Sequence, residues 1–254
     1  MKQKTDSKYM KTCTNTVYRL GAAAALMAAL IRRNFDAEYA MLQEFGILNT
    51  VVQQNPDTME DWFMLLQDHP LAGFTLLNGF DLFNYIFAGV LILVLWIDLK
   101  RINSSWAASA GFLGISGAIL YAATNKAFTL LAASSQFEVS NHAEYMMLLD
   151  KGGRLLAVHE SNNYAGPGLY PSFFMITTAL LIMSVMMLQS QDFHRHTALI
   201  GILANSFGLG YYPVLLLIPG MVFVPLSISA VFLLAFYILV AIRFRRLSKQ
   251  RKAK

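Results

Sequence analysis

Long apolar runs set the first limit on what this chain can fold into. Runs of roughly 17–25 apolar residues are long enough, as helices, to cross the hydrocarbon core of a bilayer. They cover 71–97, 106–134, 169–188, 197–217 and 221–242. Only 14% of the 254 residues are charged, against about 25% in soluble domains, and most of these charges lie between the runs. We therefore expect an all-α fold, a polytopic transmembrane helix bundle.

A further span is predicted near the amino terminus, where the apolar run is shorter. Residues 20–31 form this run, and the basic segment before it is typical of a secretory signal. Arg32 and Arg33 directly after the run argue against a cleavage site. Between Lys11 and Arg32 the only charge is Arg19, whose long side chain can extend back to the headgroups. We therefore favour a retained span, which gives about six spans in all.

Lys and Arg residues are distributed unevenly over the two sides of such a bundle. Six spans put both termini on one side, and that side carries most of the basic residues, so the positive-inside rule assigns it to the cytoplasm. The predicted organisation is a cytoplasmic basic segment 1–16, a six-span domain 17–243 and a cytoplasmic basic tail 244–254. The outer loops are about 32–70 and 135–168. The predicted location is the inner (plasma) membrane.

Both outer loops carry patterns typical of short interfacial helices. Asp57 precedes Glu60 by three residues, which is a capping-box pattern. Apolar residues then recur at helical spacing, namely Met59, Trp62, Phe63 and Leu66. In the second loop Asn141 and Glu144 are predicted to cap a helix that runs through Leu149, and Gly152 and Gly153 are predicted to end it.

Two ionisable residues fall inside the apolar runs, where a charge is costly without a partner. Asp81 lies ten residues from the outer end of its run and Lys126 eight residues from the outer end of the next, which places them ~15 Å and ~12 Å deep. Because these runs are antiparallel and joined by a short loop, we predict an intramembrane Asp81–Lys126 pair. Three asparagines complete the predicted polar cluster, Asn78, Asn84 and Asn125.

The polar cluster has two interpretations. In the first, which we favour, the pair and the asparagines hold neighbouring helices in register, through interhelical hydrogen bonds of ~0.6 kcal/mol each. In the second, the cluster is an outward-facing pocket that binds an ion, a proton or a small polar ligand. Removing either charge distinguishes the two interpretations, because only the second one predicts a loss of function.

Sequence motifs of catalysis are missing. The chain has no HExxH, GxSxG or CxxC motif and no phosphate-binding glycine loop. The one cysteine, Cys13, permits no intramolecular disulfide. His142, Glu144, His159 and Glu160 in the second outer loop have the chemistry of zinc ligands, but their spacing matches no zinc motif. We expect no catalytic residue, no metal and no cofactor.

Three functional classes remain. The favoured one is a non-enzymatic membrane component that packs, senses, or binds a lipid or a partner. Its expected partners are the lipid bilayer and, at the basic ends, anionic headgroups rather than nucleic acid, because the basic tail directly follows an apolar run. The second class is a carrier of an ion, a proton or a small solute that uses the Asp81–Lys126 cluster. The third is a membrane hydrolase built from the His and Glu residues of the outer loop.

Three segments carry a family resemblance. They are LLNGFDLFNYIFAGVLILVLWI (76–97), GRLLAVHESNNYAGPGLY (153–170) and LLIMSVMMLQSQDFHRHTALIGILANSFGL (180–209). In their order they resemble a family of six-helix integral membrane proteins, mostly bacterial, with a domain of unknown function. The likeness covers most of the chain between Val17 and Ile242. It implies a fold and a membrane location, and no activity or site residue.

Overall fold

The computed structural model describes residues 15–31, 56, 58–137, 142–157 and 168–253. Every regular element in these ranges is helical. The α-helices are α1 (Asn15–Ile31), α2 (Met59–Asp68), α3 (Pro70–Leu76), α4 (Gly79–Leu99), α5 (Ser104–Thr124), α6 (Ala127–Phe137), α7 (His142–Ala157), α8 (Leu169–Met187), α9 (Arg195–Leu217) and α10 (Phe223–Ala253). A short 3-10 turn, Pro219–Met221, joins the last two. The all-α prediction is therefore confirmed.

Five helical stretches are long and apolar enough to cross a membrane. They are Gly79–Leu99, Ser104–Gln136, Leu169–Met187, Arg195–Leu217 and Pro219–Gln250. These stretches coincide with the five long runs of the sequence and are those of a membrane protein. The helix α1 is also apolar but shorter. Its described part rises roughly 26 Å, a little less than the ~30 Å of the hydrocarbon core.

Two of the predicted spans contain a break in the helix. Where one continuous helix was expected, α3 ends and α4 begins around Asn78, whose φ of 51° lies in the left-handed region. Asn is among the few residues that adopt this conformation, because its short polar side chain bonds locally. The next predicted span breaks at Asn125 and Lys126, between α5 and α6.

The chain forms two compact units. The larger unit consists of Met1–Arg33, Asn84–Ile119 and Ser172–Lys254, and the smaller of Asn34–Phe83 and Leu120–Pro171. In the larger unit, glycines allow helices to approach closely, as small residues do in membrane bundles. A Cβ added at Gly114 of α5 would lie 2.9 Å from the Cβ of Ala179 on α8. One added at Gly21 of α1 would lie 2.7 Å from Val94 on α4.

The smaller unit has its own apolar core, made by α2, α3, α6 and α7. Phe63 and Leu66 of α2 are buried in it together with Leu130 of α6 and Leu148 of α7. The capping box of α2 is formed by Thr58 and Asp61, one residue later than predicted. The Thr58 hydroxyl accepts from the Asp61 amide at 3.1 Å, and the Asp61 carboxylate accepts from the Thr58 amide at 3.0 Å.

The prediction that Gly152 and Gly153 end α7 is wrong, because the helix continues to Ala157. Gly152 is buried, and a Cβ there would lie 2.9 Å from the Cζ of Phe63. The glycine therefore permits close packing of α7 against α2 instead of ending a helix.

The carboxyl-terminal basic segment is helical. α10 continues to Ala253, so the predicted tail 244–254 largely extends the last span. Pro225 lies in the first turn of α10, where a proline costs no hydrogen bond.

Several predictions concern residues outside the described ranges. These residues are Cys13, Arg32, Arg33, Asp57, Asn141, His159 and Glu160.

Candidate functional site

Four of the five predicted cluster residues belong to the smaller unit, where they lie at the two helix breaks. Asn78 and Asp81 are at the start of α4, and Asn125 and Lys126 are between α5 and α6. Asn84 belongs to the larger unit and is 9% exposed. Its Oδ1 accepts no hydrogen bond from another described residue.

The carbonyl oxygen of Asn78 joins the two breaks. The Tyr121 hydroxyl donates to it at 3.1 Å and the Asn125 amide nitrogen at 3.2 Å. The same amide nitrogen lies 3.2 Å from the Tyr121 hydroxyl. The Asn125 Oδ1 accepts from the backbone N–H of Ala127 at 3.0 Å, which caps the start of α6. Polar side chains of this cluster thus satisfy one backbone group at each break, the Asn78 carbonyl and the Ala127 N–H.

The two charges of the cluster are placed separately. Asp81 lies in the first turn of α4, where the partial positive charge of the helix amides stabilises a carboxylate. The Lys126 ammonium group donates to the carbonyl oxygen of Ala123 at 3.3 Å. The ion pairs among the described residues are Arg101–Asp98, Arg101–Asp192 and Arg154–Asp150. An Asp81–Lys126 pair is not among these, and the role of the two residues stays a prediction.

The left-handed backbone at Asn78 gives a matched test. Asn78→Gly and Asn78→Ala both remove the side chain, but only glycine adopts φ of 51° without strain. We expect the alanine variant to be less stable than the glycine variant by about 1–2 kcal/mol. Unfolding in mixed micelles, followed by circular dichroism, measures this difference. Equal stabilities of the two variants would show that the break does not constrain the backbone.

A second polar cluster lies in the larger unit, at the carboxyl end of α4. Asp98 is 4% exposed, accepts from the Tyr18 hydroxyl of α1 and pairs with Arg101. Arg101 also binds Asp192, in the loop between α8 and α9, at 2.7 Å. The Arg243 Nε of α10 donates to the backbone carbonyl of Asp192. We call Tyr18, Asp98, Arg101, Asp192 and Arg243 the charged network.

The charged network stabilises the charged form of the Arg101 guanidinium. Burial of the Arg101 guanidinium acts to lower its pKa, but Asp98, Tyr18 and Asp192 raise it by more, so the pKa lies above its ordinary value. The Arg101 guanidinium is therefore charged at neutral pH. Since Asp98 and Asp192 lie on different elements, the guanidinium acts as a cross-link between them.

Sequence reasoning missed the charged network. Asp98 and Arg101 fall at the edge of an apolar run, where charges are expected in any case. Their spacing of three residues is the one local signal of a pair. Tyr18 and Asp192 lie 80 and 91 residues from their partners, so only the fold brings them together.

The residues predicted for a hydrolase are only partly described. His142 is exposed at the start of α7, and its ring stacks on Tyr145 with centroids 6.4 Å apart. The Tyr145 hydroxyl donates to Glu60 at 2.9 Å, and this hydrogen bond raises the pKa of Tyr145. In the ranges that the structure describes, no three His, Cys, Asp or Glu residues lie close enough to hold a metal ion.

Both clusters therefore use their polar groups for contacts between elements of the fold. The cluster in the smaller unit is built mainly of amides, a hydroxyl and backbone carbonyls, and the charged network of carboxylates and guanidinium groups.

Comparison of the chain with protein-family models, with curated proteins and with solved structures found no match.

Proposed function

We propose that this chain is a six-span protein of a bacterial inner membrane, with both termini in the cytoplasm. We further propose that it acts as a non-enzymatic component that binds a membrane lipid or a partner protein. The observation that carries the proposal is the close packing of the larger unit. At Gly21, Gly114 and Gly201, a single added carbon atom would come within 3 Å of a neighbouring helix. Such contacts favour a closely packed scaffold, meaning a component that binds a lipid or a partner at its surface, over a protein with a path for solutes through it.

The packing of α1 supports its assignment as the first span. Gly21 approaches Val94 and Phe244, which belong to two candidate spans. The other side of α1 exposes large apolar side chains, as a helix facing lipid does. They are Leu20, Leu26, Met27 and Leu30.

A contact between α1 and α10 supports an even number of spans. The Ser248 hydroxyl near the end of α10 donates to Asn15 at the start of α1. Because Asn15 begins α1 and Ser248 lies near the end of α10, these two helix ends lie close together, as an even number of spans from α1 to α10 requires. The surplus of Lys and Arg near both ends favours the cytoplasm for that side.

Reporter fusions test the topology. Green fluorescent protein, which becomes fluorescent in the cytoplasm but not after export through the Sec pathway, is fused to either end of the chain, and alkaline phosphatase, which is active only outside, serves as the complement. We expect fluorescence and no phosphatase activity at both ends. A fusion at residue 103 provides an internal cytoplasmic control. Phosphatase activity at one end alone would mean an odd number of spans.

The two helix breaks favour a second candidate, a carrier of an ion, a proton or a small solute. Discontinuous helices often form the binding sites of transporters, and Asp81 and Lys126 lie at or near these breaks. The bonds within the cluster satisfy its backbone groups, and we therefore rank this candidate below the scaffold.

The two charges distinguish these candidates. We expect Asp81→Asn and Lys126→Ala to fold and to restore a deletion strain fully, across a growth profile of ions, acids and membrane-active drugs. The physical reason is that the hydrogen bonds at the two breaks are made by the Tyr121 hydroxyl and the Asn125 amide and by neither charged group. A variant that folds and reaches wild-type abundance but fails under one ion or acid would favour the carrier.

A further inference from the structure

A groove lies on the larger unit between α5 and α8. Its volume is about 360 Å³, within the range of about 300–1,000 Å³ found for small-molecule sites. Trp106 of α5 and Leu181, Ile182 and Val185 of α8 line it with apolar surface. Leu181 and Val185 are four residues apart and so lie on one face of the helix. The groove is therefore an apolar slot along two candidate spans.

One end of the groove is polar. Asn103 lines it directly before α5, and Gln189 lines it two residues after the end of α8. The Asn103 Oδ1 accepts from the backbone N–H of Trp106 at 3.1 Å, which leaves the amide nitrogen as the donor. From this end the apolar wall of α8 extends inward to Leu181, which is roughly 9 Å at the helical rise. A molecule that fills the groove must be apolar along its length and polar at one end.

The loops at the polar end carry an excess of positive charge. The two nearby carboxylates, Asp98 at the end of α4 and Asp192 in the loop before α9, both pair with Arg101. Lys100 and Arg195 are exposed and form no ion pair with another described residue. Free cations at the surface of a membrane attract anionic headgroups.

We propose that this groove binds an anionic phospholipid. One acyl chain occupies the apolar slot, and the phosphate lies at the end formed by Asn103 and Gln189. The side-chain amides are donors to the phosphate oxygens, and Lys100 and Arg195 select lipids of net negative charge. This inference rests on the proposed membrane function and names its lipid class and its site. An acyl chain is the occupant because a bilayer supplies acyl chains along the whole length of the groove. An empty groove would lose the dispersion contacts that such a chain makes with its walls.

Fluorescence quenching of Trp106 tests the site in the full-length protein. The chain is reconstituted in phosphatidylcholine vesicles that contain an equal small fraction of brominated phosphatidylglycerol or brominated phosphatidylcholine. The signal of Trp106 is the difference between the wild type and Trp106→Phe. We expect brominated phosphatidylglycerol to quench it with an apparent affinity about fivefold or more above that of phosphatidylcholine. Equal quenching by the two lipids would overturn the proposal.

Variants separate the slot from the cations. Val185→Phe fills the groove and should reduce the quenching of Trp106 by the anionic lipid, whereas Val231→Phe changes an exposed valine of α10 and should not. The double variant Lys100→Ala and Arg195→Ala alters only exposed side chains. It should remove the preference for phosphatidylglycerol and leave quenching by brominated chains. Unchanged quenching in Val185→Phe, or an unchanged preference in the double variant, would contradict the site.

Flotation of the vesicles distinguishes two kinds of failure. Protein that floats with the vesicles but shows no lipid preference contradicts the groove site and leaves the proposed function in place. Protein that does not float contradicts both proposals, because a bundle that spans the bilayer must remain with it.

Discussion

Asp98→Ala is expected to lower the free energy of unfolding by about 2–3 kcal/mol. Asp98 is nearly inaccessible, so its removal leaves the buried hydroxyl of Tyr18 without this acceptor. It also leaves Arg101 with one carboxylate partner instead of two. Breaking a fully buried ion pair costs about 3–5 kcal/mol. The Arg101 side chain is 50% exposed, and water therefore offsets part of that cost. Unfolding in mixed micelles, followed by circular dichroism, measures the change.

The matched control for Asp98 is Asp150→Ala. Asp150 also pairs with an arginine, Arg154, but the two side chains are 60% and 79% exposed. We expect its removal to cost less than about 0.5 kcal/mol. A double-mutant cycle with Arg101→Ala adds a second check, because side chains in one network are not additive. If Asp98→Ala cost no more than Asp150→Ala, the charged network would not stabilise the fold.

Gly201→Ala is expected to lower stability by about 1–3 kcal/mol. A Cβ at this position of α9 would lie 2.6 Å from the ring of Phe236 on α10 and would also meet the Ser184 hydroxyl of α8. Phe236 is fully buried, so its ring has no free space to occupy. The cost exceeds the gain of up to about 1 kcal/mol that alanine brings to a helix interior.

Gly210→Ala on the same helix is the control for Gly201. Its nearest neighbour would be the Cβ of Pro225 at 3.9 Å, an ordinary contact. We expect this variant to be as stable as the wild type or more stable by up to about 1 kcal/mol. Thermal unfolding of both variants in one detergent gives the comparison. Similar melting temperatures would mean that the seam between α9 and α10 is not close-packed.

The long helices follow from the sequence because the bilayer itself sets their length and polarity. The breaks at Asn78 and Asn125 do not follow from the sequence. Apolar residues continue on both sides of each break, so the hydropathy of the run does not mark it. The predicted depth of Asp81 depended on an unbroken helix, and the break moves it to the first turn of α4. A depth counted along the chain therefore fails wherever the backbone leaves the helix.

The roles of Gly152, which was misassigned, and of Asp98, which was missed, depend on residues far away in the sequence. Gly152 has the signature of a helix end, but the Phe63 ring opposite it makes it a packing position. Asp98 has the appearance of an ordinary charge at a helix end, but it is buried and accepts a hydrogen bond from Tyr18. Neither partner is close in sequence. Local patterns therefore predicted the elements well and the side-chain contacts poorly.

The meeting of the first and last helices determines when the fold can be completed. Asn15 and Ser248 are separated by 233 positions in the chain, and Gly21 likewise contacts Phe244. During synthesis α1 leaves the ribosome long before α10 exists, so the face of α1 that contacts α10 stays uncovered until then. The contacts between α1 and α10 form only after nearly the whole polypeptide has been synthesised. A truncated product that lacks α10 would therefore expose this face of α1 and become a substrate for membrane proteases.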